Sequence, residues 1–278
     1  MKDSMNNSSI LVVEAGKTEK NYWIDLWKYR ELFLFLSLRD ILVRYKQTII
    51  GLIWSIIRPL ITMIIFTVVF GKLAKFPSGD IPYPIFVFSA LLGWQFFANS
   101  LNDVSNSLIA NSNIISKIYF PRIIIPTSSV IVNFIDFSIS LIILLILFII
   151  YGFTPKLTIL FLPFFVLMTF SLSLGIGLVM SSLNVKYRDF RYVVPFLIQI
   201  GLYISPVGFT SSIVPEKFRI LYSLNPMVGV IEGYRYSLTG VNNINIHGLI
   251  ISVVMTLLFL IIGITYFRKT EKKFADVI

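Results

Sequence analysis

The chain has 278 residues, of which 56% are hydrophobic and only 14% charged, and its mean hydropathy is +0.83; a soluble domain carries about 25% charged residues, so water alone is not its solvent. Its net charge of +10 comes from Lys and Arg in small groups beside apolar runs, without a basic helix interleaved with stacking aromatics, which argues against a nucleic-acid partner. The absence of Cys excludes disulfides, thiolate metal sites and a Cys nucleophile.

The first 22 residues are polar around one short apolar patch and lack the long apolar core of a signal peptide. Within them Gly16-Lys17-Thr18 invites a phosphate-loop reading, but that motif needs a glycine five positions before Gly16, and Leu11 stands there. Any ATP is therefore expected on another chain. Residues 21–47 mix Trp23, Trp27 and Tyr29 with Lys28, Arg30, Glu31, Arg39, Asp40, Arg44 and Lys46. This pattern predicts an amphipathic helix lying in the membrane interface, aromatics at headgroup level and cations toward anionic lipid. A helix that only anchors the first span explains it equally well.

A bilayer core of about 30 Å needs ~20 apolar residues per helix. Six segments meet that need, approximately 49–70, 84–101, 123–151, 157–183, 192–209 and 247–267, the second and fifth being short and interrupted by polar residues. Placing both termini in the cytoplasm puts 17 Lys and Arg on that side and 6 on the other, as the positive-inside rule requires. The expected organisation is an N-terminal cytoplasmic segment (1–48), one membrane domain (49–268) and a short tail (269–278). The connection 102–122 sets Val104, Leu108, Ile115 and Ile118 at helical spacing against Asn, Ser and Asp, which suits a short cytoplasmic docking helix. Residues 210–246 are too apolar for a solvated loop and too broken by Pro215, Pro226, Gly229 and Gly233 to span. They fit two re-entrant half-helices, or a cap over the spans.

Catalytic chemistry is thin. The single histidine, His247, sits at the edge of the last predicted span, and no His, Asp or Glu pair shows metal-ligand spacing. Two ionisable residues fall deep in spans: Arg58 in the first and Asp136 in the third. Each costs about 2.5–3.5 kcal/mol at mid-membrane if unpaired. Either the two form an ion pair, or Arg58 lies in a watery path where it meets an anionic group on a substrate. Trp54, Arg58 and Thr62 recur at helical spacing, as do Tyr192, Gln199 and Tyr203. Such aromatic and hydrogen-bonding stripes suit a glycan path, although ordinary helix packing accounts for them too.

Four strings in order, RYKQTIIGLIWSIIRPL (44–60), KIYFPRIIIP (117–126), NVKYRDFRYVVPFLIQIGLYISPVGF (184–209) and LNPMVGVIEGYR (224–235), make the chain resemble the permease subunits of type-2 ABC exporters. Those proteins move O-antigen, teichoic acid or capsular polysaccharide across the bacterial cytoplasmic (inner) membrane. The resemblance implies an all-α membrane protein of six spans with an N-terminal interface helix and re-entrant half-helices between the fifth and sixth spans. It implies a non-catalytic homodimer with two copies of an ABC ATPase subunit that hold ATP and Mg, the permease itself carrying no cofactor. Docking would fall to Trp23, Trp27, Leu108, Ile115 and Lys117. Trp54, Arg58, Thr62, Tyr192, Gln199 and Tyr203 would line a channel, with Arg39, Arg44 and Lys46 at a cytoplasmic entrance for the diphosphate of a lipid-linked glycan. A drug or peptide exporter of the same architecture, or a membrane enzyme acting on lipid-linked sugars, is the alternative.

Overall fold

The computed structural model describes residues 22–46, 49–240 and 245–274; Gly16-Lys17-Thr18 lies outside them. All regular structure among the described residues is helical. In lipid every backbone N–H and C=O must find its partner inside its own segment, and a helix does this for a single run of chain. In chain order the helices are α1 (Tyr22–Lys28), α2 (Arg30–Lys46), α3 (Ile49–Phe66), α4 (Tyr83–Ala110), α5 (Ser112–Ile115), α6 (Ile124–Ile150), α7 (Leu162–Lys186), α8 (Phe190–Ile204), α9 (Glu216–Ser223), α10 (Pro226–Thr239) and α11 (Ile246–Thr270). A π-helical stretch, Thr67–Leu73, continues α3, and one 3-10 turn, Leu157–Phe161, leads into α7.

Local sequence explains the ends. Proline stands in the first turn of α4, α7 and α10, where its missing N–H loses no helical bond. The side chain of Asn225 accepts from Met227 N at 3.1 Å and that of Asn245 from Gly248 N at 3.3 Å, capping α10 and α11. α10 stops at Gly240, whose φ of 68° is a left-handed conformation that suits glycine.

Among the described residues five helices are long and apolar enough to cross a membrane: Ile53–Leu73, Tyr83–Ala110, Ile124–Ile150, Leu157–Lys186 and Ile246–Thr270. The segment expected at 192–209 forms a helix of only 15 residues, ending at Ile204 before Ser205 and Pro206. At 1.5 Å per residue that is about 22 Å, short of the ~30 Å core. The segment expected at 84–101 is longer than its apolar run suggested. α4 is 28 residues long and ends at Ala110, so the first part of the expected 102–122 connection, residues 102–110, is the end of that helix. The polar residues of this stretch did not end it, because Ser105 and Ser107 return their hydroxyls to carbonyls of their own helix. The single interface helix expected over 21–47 is two, separated at Tyr29.

α4 is the axis of the bundle. It packs against α3, α6, α7, α8 and α10, and 78% of its most apolar window is buried, against 17% for α3. Behind it α7 and α11 approach until their backbones touch. A Cβ on Gly263 would stand 2.2 Å from the carbonyl oxygen of Gly175, and one on Gly175 would stand 2.7 Å from Leu260 Cα. Small residues let membrane helices gain dispersion contacts and weak hydrogen bonds where lipid supplies no hydrophobic drive.

Backbone cannot give way as a side chain can, so Gly263→Val should destabilise the fold by at least about 1–3 kcal/mol. Thermal unfolding in detergent, followed by size-exclusion chromatography, should show an earlier loss of the monodisperse peak. Leu257→Val, at a position on the same helix that is exposed in the single chain, should leave that peak unchanged.

Candidate functional site

The polar residues of the bundle separate into a charged node and a path. The node lies where α2 crosses α4 and α6. Arg44, on the last turn of α2, donates to Asp103 Oδ2 on α4 at 3.2 Å and to Asn133 Oδ1 on α6 at 3.0 Å, and pairs with Asp136 Oδ2 at 3.1 Å. Asn133, buried, returns its Nδ2 to Asp103 at 2.9 Å, and Tyr45 donates its hydroxyl to Asp136. Burial and the adjacent Asp136 carboxylate push the Tyr45 phenol well up, so it stays a neutral donor. One turn earlier Arg39 donates to Asp40 at 2.6 Å and to Asn111 Oδ1, just past the end of α4, at 2.7 Å.

These contacts correct two expectations. The ion pair expected between Arg58 and Asp136 is replaced by Arg44 with Asp136, because α2 lies along α6 and brings Arg44 and Tyr45 to that carboxylate. Arg44, expected at an entrance for a diphosphate, is held between two carboxylates, which would repel an anion. Lys46 is exposed, and Arg39 is half-buried and engaged.

The path begins beside the node. A cavity of about 260 Å³ between α2, α3, α4 and α6 is lined by Trp54, Arg58, Gln95, Asn99 and Asp136, among others. A second, of about 390 Å³, lies between α3, α4 and α8 and is lined by Arg58, Thr62, Gln95, Asn99, Asn102 and Gln199, among others. Arg58, Gln95 and Asn99 line both, so the two cavities are neighbours. Among the described residues Arg58 has no ion pair, and the polar residues that line the two cavities with it are amides, hydroxyls, indoles, Asp136 and the paired Arg44. Pro59 and Pro195 lie inside α3 and α8, where neither can donate a backbone N–H to the helix.

Of the residues expected along a channel, Trp54, Arg58, Thr62 and Gln199 line these cavities, whereas Tyr192 and Tyr203 point away from them and are 76% and 62% exposed. Sequence reasoning missed Gln95, Asn99 and Asn102. Their spacing of four and three residues inside an apolar run was the available signal. Among the expected docking residues Trp23 and Trp27 are 56% and 71% exposed, and Lys117 is exposed. Leu108 and Ile115 are sealed in the core and present no surface to a partner. The exposed Ile118 and Tyr119 stand where those two were expected to act.

α1 is clasped to the end of α11. Tyr22 donates to Glu271 at 3.1 Å, the Arg268 guanidinium lies 4.5 Å from the centre of the Tyr22 ring, and Arg122 donates to the Glu271 carbonyl. No group of His, Asp and Glu among the described residues is placed to hold a metal ion.

A helical permease-like bundle with a polar path on α3, α4 and α8 narrows the comparison to transporters. The family model for the ABC-2 type transporter matches residues 31–239. The chain belongs to the ABC-2 type transporter family. An O-antigen export system permease protein RfbA of Klebsiella pneumoniae is 30% identical over 250 residues, covering 89% of this chain and 95% of that relative. A protein of the same name from Myxococcus xanthus is 28% identical, covering 76% and 81%. The polysialic acid transport protein KpsM of Escherichia coli is 24% identical, covering 85% and 92%. The match runs from α2 to the end of α10, so an ABC-2 transporter chain includes both the node and the path.

If the node is structural, Arg44→Ala should strand two carboxylates in the bundle, and each lost charged hydrogen bond is worth about 1.5–3 kcal/mol. The expected result is a lower unfolding temperature in detergent, partly restored by adding Asp103→Asn and Asp136→Asn. Restoration by the neutralised carboxylates separates this role from anion binding, which they would not rescue.

Proposed function

We propose that two copies of this chain form the membrane part of an exporter that moves a lipid-linked polysaccharide out through the bacterial cytoplasmic membrane, driven by two copies of a separate ATPase subunit. The observation that carries the proposal is that the polar path lies on two sparsely buried helices, α3 and α8. α3 has 17% of its apolar window buried, and Val194 is the one buried residue of α8. A second copy laid against these faces would close the path into a channel, with Tyr192 and Tyr203 presented to it from α8. The names of the relatives, O-antigen and polysialic acid export, supply the substrate class.

Both termini are cytoplasmic in this arrangement, supported by the 17 to 6 division of Lys and Arg. α8 together with residues 205–209 then serves as a sixth span, while α9 and α10 enter and leave from the outer side as half-helices. Buried backbone of that kind is tolerated where protein surrounds it, and nearly all of α10 is buried. The ATPase holds ATP and Mg and docks on Trp23, Trp27, Lys117, Ile118 and Tyr119. Nucleotide binding brings the ATPases together and supplies the energy difference between the two states. Movement reaches the path because α2 is bonded to the last part of α4, through Arg44 to Asp103, and to the residue just past it, through Arg39 to Asn111. At the path, Arg58 attracts the phosphate of the carrier lipid, and the amides and Trp54 meet the sugars.

The test is co-purification with the ATPase encoded beside this chain, followed by vanadate-sensitive ATP hydrolysis with and without lipid-linked glycan. A complex with two copies of each chain, stimulated by glycan, is expected. Arg58→Ala should keep the complex and its basal turnover but raise the glycan concentration for half-stimulation about 10- to 100-fold, the loss of one charge-assisted contact. Arg58→Lys should fall between. A chain that recruits no ATPase overturns the proposal.

A further inference from the structure

A third and larger cavity, of about 680 Å³, is not part of the path. It lies at the end of the bundle away from α2, since α3 starts beside α2 and ends at residues 74–82, which roof the cavity through Pro77, Ser78 and Ile81. Its other walls are residues 210–212, α9, α10 and the start of α11. Pockets for small molecules measure about 300–1,000 Å³, so the room holds one or two sugar rings.

Arg235 builds the wall without offering itself to a ligand. It is 7% exposed, its three nitrogens donate to the carbonyls of Phe86, Phe209 and Val207 at 3.4, 2.8 and 2.6 Å, and its guanidinium lies 3.8 Å from the centre of the Phe86 ring. One helical turn back, Glu232 lines the chamber with the side chain and backbone of Ser211 as its hydrogen-bonding neighbours, which leaves acceptor sites of the carboxylate open. Across the room Arg219 is held loosely, by Val214 O at 3.1 Å, Ser212 O at 3.4 Å and Glu216 at 3.5 Å. The ring of Tyr222, whose hydroxyl is tied to Ile204 O at 2.8 Å, and the ring of Tyr236 are fixed surfaces between them. Hydroxyls of Thr210, Ser211 and Ser212 complete the rim.

An acceptor-rich carboxylate, a guanidinium with donors to spare, hydroxyls of both characters and rigid phenol rings are the groups that read a polyhydroxylated ring. Adjacent sugar hydroxyls donate to a carboxylate and accept from Arg, and the C–H face lies on an aromatic ring. A lipid tail here would leave these groups without partners. A phosphate would meet Glu232.

We propose that this chamber is a binding site for one or two neutral sugar units of the exported glycan at the outer face, separate from the Arg58 path. The outward placement and the glycan rest on the exporter function proposed above. Units that have crossed would be held there while the ATPases reset, which opposes backward slipping of the chain.

The probe is the repeat-unit oligosaccharide released by mild acid from the host cell's own surface polysaccharide. It is titrated onto the purified chain in lipid nanodiscs, without ATPase or nucleotide, and binding is read by saturation-transfer NMR and calorimetry. Binding should weaken about tenfold or more in Glu232→Gln, which keeps size and packing while losing the charge. Thr210→Trp, a loop substitution that fills the room, should weaken it similarly. Absence of binding to the folded chain, binding unchanged in both variants, or a preference for glycerophosphate over the oligosaccharide would overturn the proposal. Glycan-stimulated ATP hydrolysis without chamber binding sinks the chamber alone; chamber binding in a chain that recruits no ATPase sinks the exporter.

Discussion

A guanidinium inside an apolar bundle must be paired, bonded to carbonyls or wetted, and the architecture of this chain follows the three choices. Arg44 is paired, and by taking Asp103 and Asp136 it fastens α2 across α4 and α6. Arg235 is satisfied by three carbonyls, and by collecting Phe86, Val207 and Phe209 it ties α10 to the start of α4 and to the segment that follows α8. Arg58 has neither solution among the described residues; it is exposed in the single chain and lines two cavities. The cost of an unpaired cation at mid-membrane, about 2.5–3.5 kcal/mol, is reduced only if water or an anionic ligand reaches it.

Much of this was legible in the sequence because hydropathy reports the solvent directly. Five of the expected spans appear as long apolar helices at nearly the expected places, and the string of stripe residues from Trp54 to Thr62 falls on the path. What the sequence hid are matters of neighbourhood. Asp136 sits at a depth that suggested Arg58 as partner, but pairing is decided by which helix lies alongside, and α2 is that helix. The apolar spacing of Val104, Leu108 and Ile115 signalled a buried face correctly. Whether that face is covered by a partner or by the chain itself is not encoded in periodicity, and here α4 and the turn after it bury these residues in their own core. Polar residues at Gln95, Asn99 and Asn102 made the second span look short, although in a helix shielded by neighbours such groups bond to carbonyls of their own backbone or face a cavity.

The distribution of packing then assigns mobility. α4, α7 and α11 form the dense part, with α7 and α11 in backbone contact at Gly175 and Gly263 and α4 enclosed on all sides. Interiors packed at this density transmit displacement rather than absorb it. α3 and α8 have few contacts to lose, and each contains an internal proline, whose missing N–H lowers the stiffness of the helix. A push delivered to α2 and the end of α4 would pass through the rigid part unchanged and appear as motion of α3 and α8, the walls of the path. The bonds Arg39 to Asn111 and Arg44 to Asp103 are what join α2 to that rigid part.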